Sequence, residues 1–156
     1  MRWRLLLYGA LLALWNCGDK PSISIQVFPA ELASDPQSPA PAGWERVEFA
    51  GSPRAAAGVY HVHLDTLLSE WNIIACRPVS PDEGGAGAAV RLNAYAENKM
   101  EKFSTDPVNI KQPLAVRING RWADFAPLLD QISDRMVLFG FTEKEVADLD
   151  QYLAHR

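Results

Sequence analysis

The sequence predicts an α+β fold with a mixed or antiparallel sheet of about five to seven strands and two helices packed on one face. Several short segments alternate apolar and polar residues, which is the period of a half-buried strand. Two other segments carry apolar residues at helical spacing. The pair Asn119-Gly120 lies between two alternating segments. It indicates a β-hairpin, because a type I′ turn needs positive φ at both central residues.

The first part of the chain is rich in proline and predicts few elements. Residues 22–28 (SISIQVF) alternate and predict a strand, and residues 44–49 (WERVEF) predict another short one. Six of the eleven prolines lie within residues 21–53, and proline cannot donate to a strand ladder. We therefore interpret residues 18–56 as a tether that contributes one or two strands, at a sheet edge.

Residues 59–65 (VYHVHLD) alternate and predict the next strand. We expect Tyr60, Val62 and Leu64 to face the core, since their side of the strand is apolar. His61, His63 and Asp65 share the other side, which we expect to be solvated.

The following segments complete the first half of the α+β domain. Residues 66–71 predict a short helical turn, and residues 72–79 and 88–94 predict two strands. Residues 97–103 predict a helix, because apolar residues recur there at the spacing of a helical stripe.

The C-terminal part has the clearest local signals. Strands are predicted at residues 114–118 and 121–125, on either side of the hairpin turn, and at the apolar residues 136–139. Thr142 and Glu145 have the spacing of a capping box, so a helix is predicted to begin there.

The N-terminal segment predicts export. Arg2 and Arg4 precede the apolar residues 5–15, a run too short to span a bilayer and typical of a secretory signal. We assign residues 1–17 as a signal peptide. Cys17 follows the apolar run as in bacterial lipoprotein signals, although Trp15 and Asn16 replace the small residues found there. Lipidation of Cys17 therefore remains one of two alternatives, and the protein is predicted to be periplasmic or lipid-anchored to the cell envelope.

Composition and motifs exclude several functions. The formal net charge is −4 and basic residues form no run, so we expect no nucleic acid partner. If Cys17 is modified or removed, Cys76 is a lone thiol, and no disulfide framework is predicted. No nucleophile elbow or phosphate-binding glycine loop occurs. We expect a protein that is not an enzyme and has no cofactor.

A set of turn and packing residues is similar to a known family. These residues are Asn72-Ile73, Ala75 to Val79, the acidic turn at residues 82–85, Val90, Leu92, Phe103, Leu114 to Arg121, Ala126-Pro127 and Gly140 to Leu149. Their order resembles the head part of the first periplasmic domain of SecD, an accessory subunit of the bacterial protein translocase. The resemblance covers about residues 59–153, and we assign residues 57–156 to a ferredoxin-like, SecD-head-like domain.

The resemblance implies a role but not a reaction. The translocase subunit has six membrane helices and this sequence predicts none, so we expect a stand-alone exported relative rather than a translocation motor. In the family the head is thought to contact the emerging polypeptide. The resemblance therefore implies a polypeptide or envelope-protein partner, with a membrane contact through the N-terminal lipid if Cys17 is modified.

Two groups of residues are candidate sites. Arg121, Trp122 and Asp124 follow the hairpin turn, and alternation places Trp122 and Asp124 on one face of the strand, which predicts a partly exposed indole for binding. His61, His63 and Asp65 are candidate metal ligands if further ligands complete the site; we prefer a solvated strand face.

Three functions stay open at this point. The preferred one is a non-catalytic binding module of the cell envelope that contacts polypeptide. The alternatives are a small metal-dependent hydrolase that uses His61, His63 and Asp65, and a structural lipoprotein without a ligand.

Overall fold

A computed structural model of the protein describes residues 22–79 and 85–156. This part contains nine strands and two helices. The strands are β1 (Ile25–Leu32), β2 (Trp44–Phe49), β3 (Gly58–His63), β4 (Leu68–Ser69), β5 (Ile73–Val79), β6 (Gly87–Leu92), β7 (Pro113–Ile118), β8 (Arg121–Pro127) and β9 (Arg135–Phe139). The helices are α1 (Ala94–Thr105) and α2 (Glu143–Ala154). The predicted signal peptide, Cys17 and most of the predicted acidic turn at residues 82–85 lie outside the described residues.

The strands form two antiparallel sheets, which confirms the predicted α+β class. The larger sheet has the order β2-β3-β1-β7-β8, with β4 paired to β1 beside β3. The smaller sheet has the order β5-β6-β9. The strand count of the larger sheet is within the predicted range, but alternation within a strand does not show which strands pair, so the division into two sheets was not predicted.

The main core lies between the two sheets and the helices. It joins Val116 of the larger sheet and Val90 of the smaller one to Met100 of α1 and Leu149 of α2, all of them buried. Ile25 of β1 belongs to the same core and is fully buried. β1 therefore occupies the interior of the larger sheet, and the edge position that we expected for this part of the chain holds for β2 alone.

A second core covers the opposite face of the larger sheet. It includes Phe28, Tyr60, Val62 and Phe125, and the Tyr60 and Phe125 rings lie 4.3 Å apart between centroids. Both faces of the interior strands are thus covered, so these strands do not follow a simple alternation of apolar and polar residues.

This burial on both faces corrects our expectation for the strand at residues 59–65. Tyr60 and Val62 are buried as predicted, but Leu64 is 57% exposed because β3 ends at His63. His61, which we expected in solvent, is only 5% exposed. Residues 66–71 also differ from the predicted helical turn, since β4 (Leu68–Ser69) precedes a single 3-10 turn at Glu70–Asn72.

The predicted hairpin and capping box are confirmed. Asn119 and Gly120 have φ of 49° and 83°, as a type I′ turn requires. The Thr142 hydroxyl accepts a hydrogen bond from the Glu145 N–H, and the Glu145 carboxylate accepts one from the Thr142 N–H. Both signals are local in sequence, so the sequence alone was sufficient to predict them.

Among the helices in the described ranges, none combines the length and the apolar character that crossing a membrane would require.

Candidate functional site

A cleft separates the edge of the larger sheet from the edge of the smaller one. β8 and β9 face each other across it, and within residues 22–79 and 85–156 no strand ladder joins them. The cleft has a volume of about 350 Å³. Its apolar lining includes Leu114, Val116, Leu128, Ile132, Met136 and Leu138. We call this space the β8–β9 cleft.

Gly140 sets how closely the two sheets approach at one end of the cleft. A Cβ built on Gly140 would lie 2.4 Å from the carbonyl oxygen of Ala123 in β8, which no real side chain tolerates. The residue after β9 therefore lies directly against β8, and only glycine fits. The connection from β8 to β9 borders the cleft as well, through Leu128 and Ile132, which are buried, and Leu129, which is 66% exposed.

A buried carboxylate lies in the wall of the cleft. Asp124 of β8 is 1% exposed. Its Oδ1 accepts a hydrogen bond of 2.7 Å from the Ser52 hydroxyl, while its Oδ2 has no hydrogen-bond partner among the described residues. The nearest cation is Arg54, whose Nε lies 3.9 Å from Oδ2. A buried carboxylate oxygen without a donor is costly, and Oδ2 retains the capacity to accept a further hydrogen bond.

The segment between β2 and β3 brings Ser52 and Arg54 to the cleft. The Ser52 Oγ also accepts hydrogen bonds from the N–H groups of Arg54 and Ala55, which fixes a tight turn. The Arg54 guanidinium lies 3.9 Å from the centroid of the Phe139 ring in β9. Ser52 is 72 residues from Asp124 along the chain, so no sequence pattern could have shown that these residues meet.

Asp124 also influences a neighbouring phenol. Burial, together with the negative charge of Asp124, raises the pKa of Tyr60. The Tyr60 hydroxyl donates a hydrogen bond of 2.9 Å to the carbonyl oxygen of Ala56. Tyr60 is therefore a neutral donor at physiological pH, and it holds the same segment that carries Ser52.

The three predicted binding residues do not form one surface. Trp122 lies opposite Arg117 of β7, and Asp124 lies opposite Val116, so Ala123 is an extra residue in a β-bulge. Neighbouring residues of β7 point to opposite faces, and their partners do likewise. The bulge thus separates Trp122 from Asp124, which strict alternation had placed together. Their role in binding remains a prediction.

Trp122 and Arg121 have structural contacts of their own. Trp122 is half-buried and packs edge-on against Phe28, with ring centroids 5.6 Å apart. Arg121 donates hydrogen bonds to the Gly140 carbonyl oxygen and the Glu145 carboxylate. Burial alone would raise the pKa of Glu145, but hydrogen bonds from Arg121 and Thr142 and the charge of Arg121 lower it. Arg121 of β8 therefore contacts both the residue that follows β9 and the first turn of α2.

The predicted metal ligands are paired with different carboxylates. His61 Nδ1 lies 3.5 Å from Glu31 Oε1, and His63 Nδ1 lies 3.7 Å from Asp65 Oδ2. The backbone N–H of Asp65 donates to His63 Nδ1 at 3.2 Å. In the described ranges, no three residues among histidine, cysteine, aspartate and glutamate are placed to hold a metal ion together. The hydrolase alternative therefore gains no support.

Comparison with solved structures identifies the fold. A structure of SecDF, a membrane component that enhances protein export, has a TM-score of 0.46 and 20% identity, over 57% of this chain and 40% of the SecDF chain. SecDF in its super-membrane-facing form has a TM-score of 0.51 and 13% identity, over 86% of this chain and 19% of that one. No protein-family model and no curated protein matches the sequence.

The second of these comparisons confirms that the chain has the fold of a SecD-like periplasmic domain. At 13% identity it shows the fold alone. The chain also spans less than half the length of either SecDF chain. What the whole SecDF protein does therefore does not follow from the likeness.

Proposed function

We propose that this chain is a non-catalytic binding module of the cell envelope that contacts extended polypeptide, in a role related to protein export. The observation that carries the proposal is the β8–β9 cleft. It lies between two strand edges, has an apolar lining and contains a buried acceptor, Asp124 Oδ2.

Strand edges offer the polypeptide backbone its natural partners. An edge presents N–H and C=O groups that lack a neighbouring strand, and extended peptides bind by adding to such an edge. Alternate side chains of the peptide would then enter the apolar space between β8 and β9. Asp124 Oδ2 would accept a hydrogen bond from the peptide, which removes the cost of its missing donor.

The fold and the expected location agree with this role. SecDF has the same fold in part, and the N-terminal residues 1–17 are predicted to direct export. An exported module of this fold would meet polypeptides in an extended state as they emerge from the membrane. The chemistry of the cleft suits such a chain, because apolar side chains and free backbone groups are exposed before folding.

The test is binding of a labelled polypeptide that cannot fold because its cysteines are reduced and blocked with iodoacetamide. Fluorescence anisotropy measures its affinity for the full chain. The same polypeptide with its disulfides intact is the folded control. We expect saturable binding of the unfolded form and at least about ten-fold weaker binding of the folded form.

Two matched double variants locate the site. Leu129→Ser with Val137→Ser removes two exposed apolar side chains that line the cleft. Leu64→Ser with Val108→Ser removes two exposed apolar side chains that do not line it. Leu129 and Val137 are already about half buried, so completing the burial of each contributes about half of the roughly 1.5 kcal/mol of a fully buried side chain. We therefore expect the loss of both to weaken binding about ten-fold, and the second variant to lose less than two-fold. Equal losses in both, or no preference for the unfolded polypeptide, would refute the proposal.

A further inference from the structure

The outer face of the smaller sheet carries three arginines on three adjacent strands. Arg91 of β6 lies directly opposite Arg135 of β9. Arg77 of β5 lies opposite Ala89, the residue two before Arg91. Residues directly opposite one another point to the same side of a sheet. The intervening residues, such as Val90, point into the main core, so all three arginines point away from it.

The space around these arginines is shallow and open. Arg77, Arg91 and Arg135 are all exposed. The residues beside them are small, Ala75 and Ala89, so no large side chain rises between the guanidinium groups. Together they border a depression of about 250 Å³. We call Arg77, Arg91 and Arg135 with their two alanine neighbours the arginine face.

The charges of the arginine face are not balanced within the described residues. One carboxylate is within ion-pair distance there, Asp134, which lies 3.6 Å from Arg135. Arg77 and Arg91 have no such partner in residues 22–79 and 85–156. Like charges directly opposite one another in a sheet are destabilising. The whole chain is nevertheless acidic, with a net charge of −4, so overall composition does not account for this concentration of positive charge.

We propose that the arginine face docks the protein on the surface of a membrane that contains anionic phospholipids. A guanidinium group binds phosphate oxygens with two parallel hydrogen bonds, and the phosphates of anionic headgroups complement all three arginines. The two alanines keep the space between the arginines shallow and open, so the three guanidinium groups around it can reach the phosphates of one planar membrane. Val137 of β9 lies opposite Ala89, which in turn lies opposite Arg77, so Val137 points to the same side of the sheet as the arginines. It is 44% exposed and adds an apolar contact beside them.

The test is co-sedimentation of the full chain with vesicles. One set contains phosphatidylglycerol with phosphatidylcholine, and the other contains phosphatidylcholine alone. The apolar residues 5–15 are present in every variant, so any membrane contact they make is common to all samples. We expect tighter binding to the anionic vesicles, and a loss of this preference as the salt concentration rises.

Two triple variants remove the same number of positive charges from different places. They distinguish binding by the arginine face from a general effect of net charge. Arg77→Gln, Arg91→Gln and Arg135→Gln remove the arginine face. Arg46→Gln, Lys102→Gln and Lys144→Gln remove three exposed cations elsewhere. Each basic residue near an anionic surface contributes about five-fold in affinity. We therefore expect the first variant to lose roughly 100-fold of the preference for anionic vesicles, and the control variant to lose less than about five-fold.

The outcomes are distinct. Equal losses in the two triple variants, or no preference for anionic vesicles in the unmodified chain, would overturn the membrane proposal. Binding to poly-glutamate that requires the arginine face, without a vesicle preference, would also overturn it and assign the face to an acidic polypeptide. Since the vesicle assay contains no unfolded polypeptide, its failure leaves the β8–β9 cleft proposal unaffected.

Discussion

Replacing Gly140 with alanine tests the contact that closes one end of the β8–β9 cleft. Gly140 has φ of 85°, and a non-glycine residue in this region costs about 1–2 kcal/mol. The new Cβ would also lie 2.4 Å from the Ala123 carbonyl oxygen and 2.9 Å from the Ala123 Cβ. Backbone atoms have to move to relieve this overlap, as in an overpacked core, at a further cost of about 1–3 kcal/mol. We expect the free energy of unfolding to fall by about 2–5 kcal/mol.

Gly120→Ala is a matched control for the backbone part of this cost. Gly120 has nearly the same φ, 83°, but a Cβ there would have no atom within 4 Å. We expect Gly120→Ala to cost about 1–2 kcal/mol. Urea denaturation followed by tryptophan fluorescence gives both values, and an unchanged m-value shows that the comparison is valid. The difference between the variants, about 1–3 kcal/mol, measures the close approach of β9 to β8.

If the two variants lose the same stability within about 0.5 kcal/mol, a figure at the level of surface substitutions, Gly140 does not press against Ala123 in solution. A loss confined to Gly120→Ala would contradict the account of both positions.

Two further predictions concern the capping network and the second core. Because the folded-state pKa of Glu145 is lowered from 4.5, its contribution to stability is present above that value and is lost as the pH falls through the lower folded pKa. Glu145→Gln should therefore reduce stability at neutral pH, with the two stability curves converging at acidic pH. Thr142→Ala should cost about 1 kcal/mol at neutral pH, and part of this cost should also disappear at acidic pH, because the Thr142 side chain is one of the groups that lower the Glu145 pKa. Phe125→Ala should cost about 3–5 kcal/mol, because Phe125 is fully buried and packs between Tyr60 and Phe49. Phe49 lies at the partly exposed edge of this core, so Phe49→Ala should reduce the free energy of unfolding by less. Equal losses for the two variants in thermal unfolding would contradict the central position of Phe125 between Tyr60 and Phe49.

The extent to which sequence predicted the fold depended on the range of each interaction. The type I′ turn at Asn119-Gly120 and the capping box at Thr142 and Glu145 involve residues at most three apart, and both were predicted. The α+β class followed from the periods of the strands and helices. The pairing between strands could not be predicted in the same way, because it depends on residues far apart in the sequence. The interior position of β1 and the division into two sheets therefore appeared only in the structure.

The candidate site was less predictable than the fold. Asp124 was identified, but as part of a surface with Trp122, and a single extra residue, Ala123, placed the two on opposite faces. The partners of Asp124 come from Ser52 and Arg54, about 70 residues earlier in the chain. His61 was expected in solvent and is buried, since β3 lies between β1 and β2.

The sequence by itself determined the local elements of this protein, because turns, caps and helical stripes depend on neighbouring residues. It also indicated the SecD-like fold through the order of those elements. Only the tertiary structure decided where the β8–β9 cleft and the arginine face lie. Both depend on which strand edges remain unpaired and on the register between strands. Register is set by contacts between distant residues, and one inserted residue changes which side chains meet.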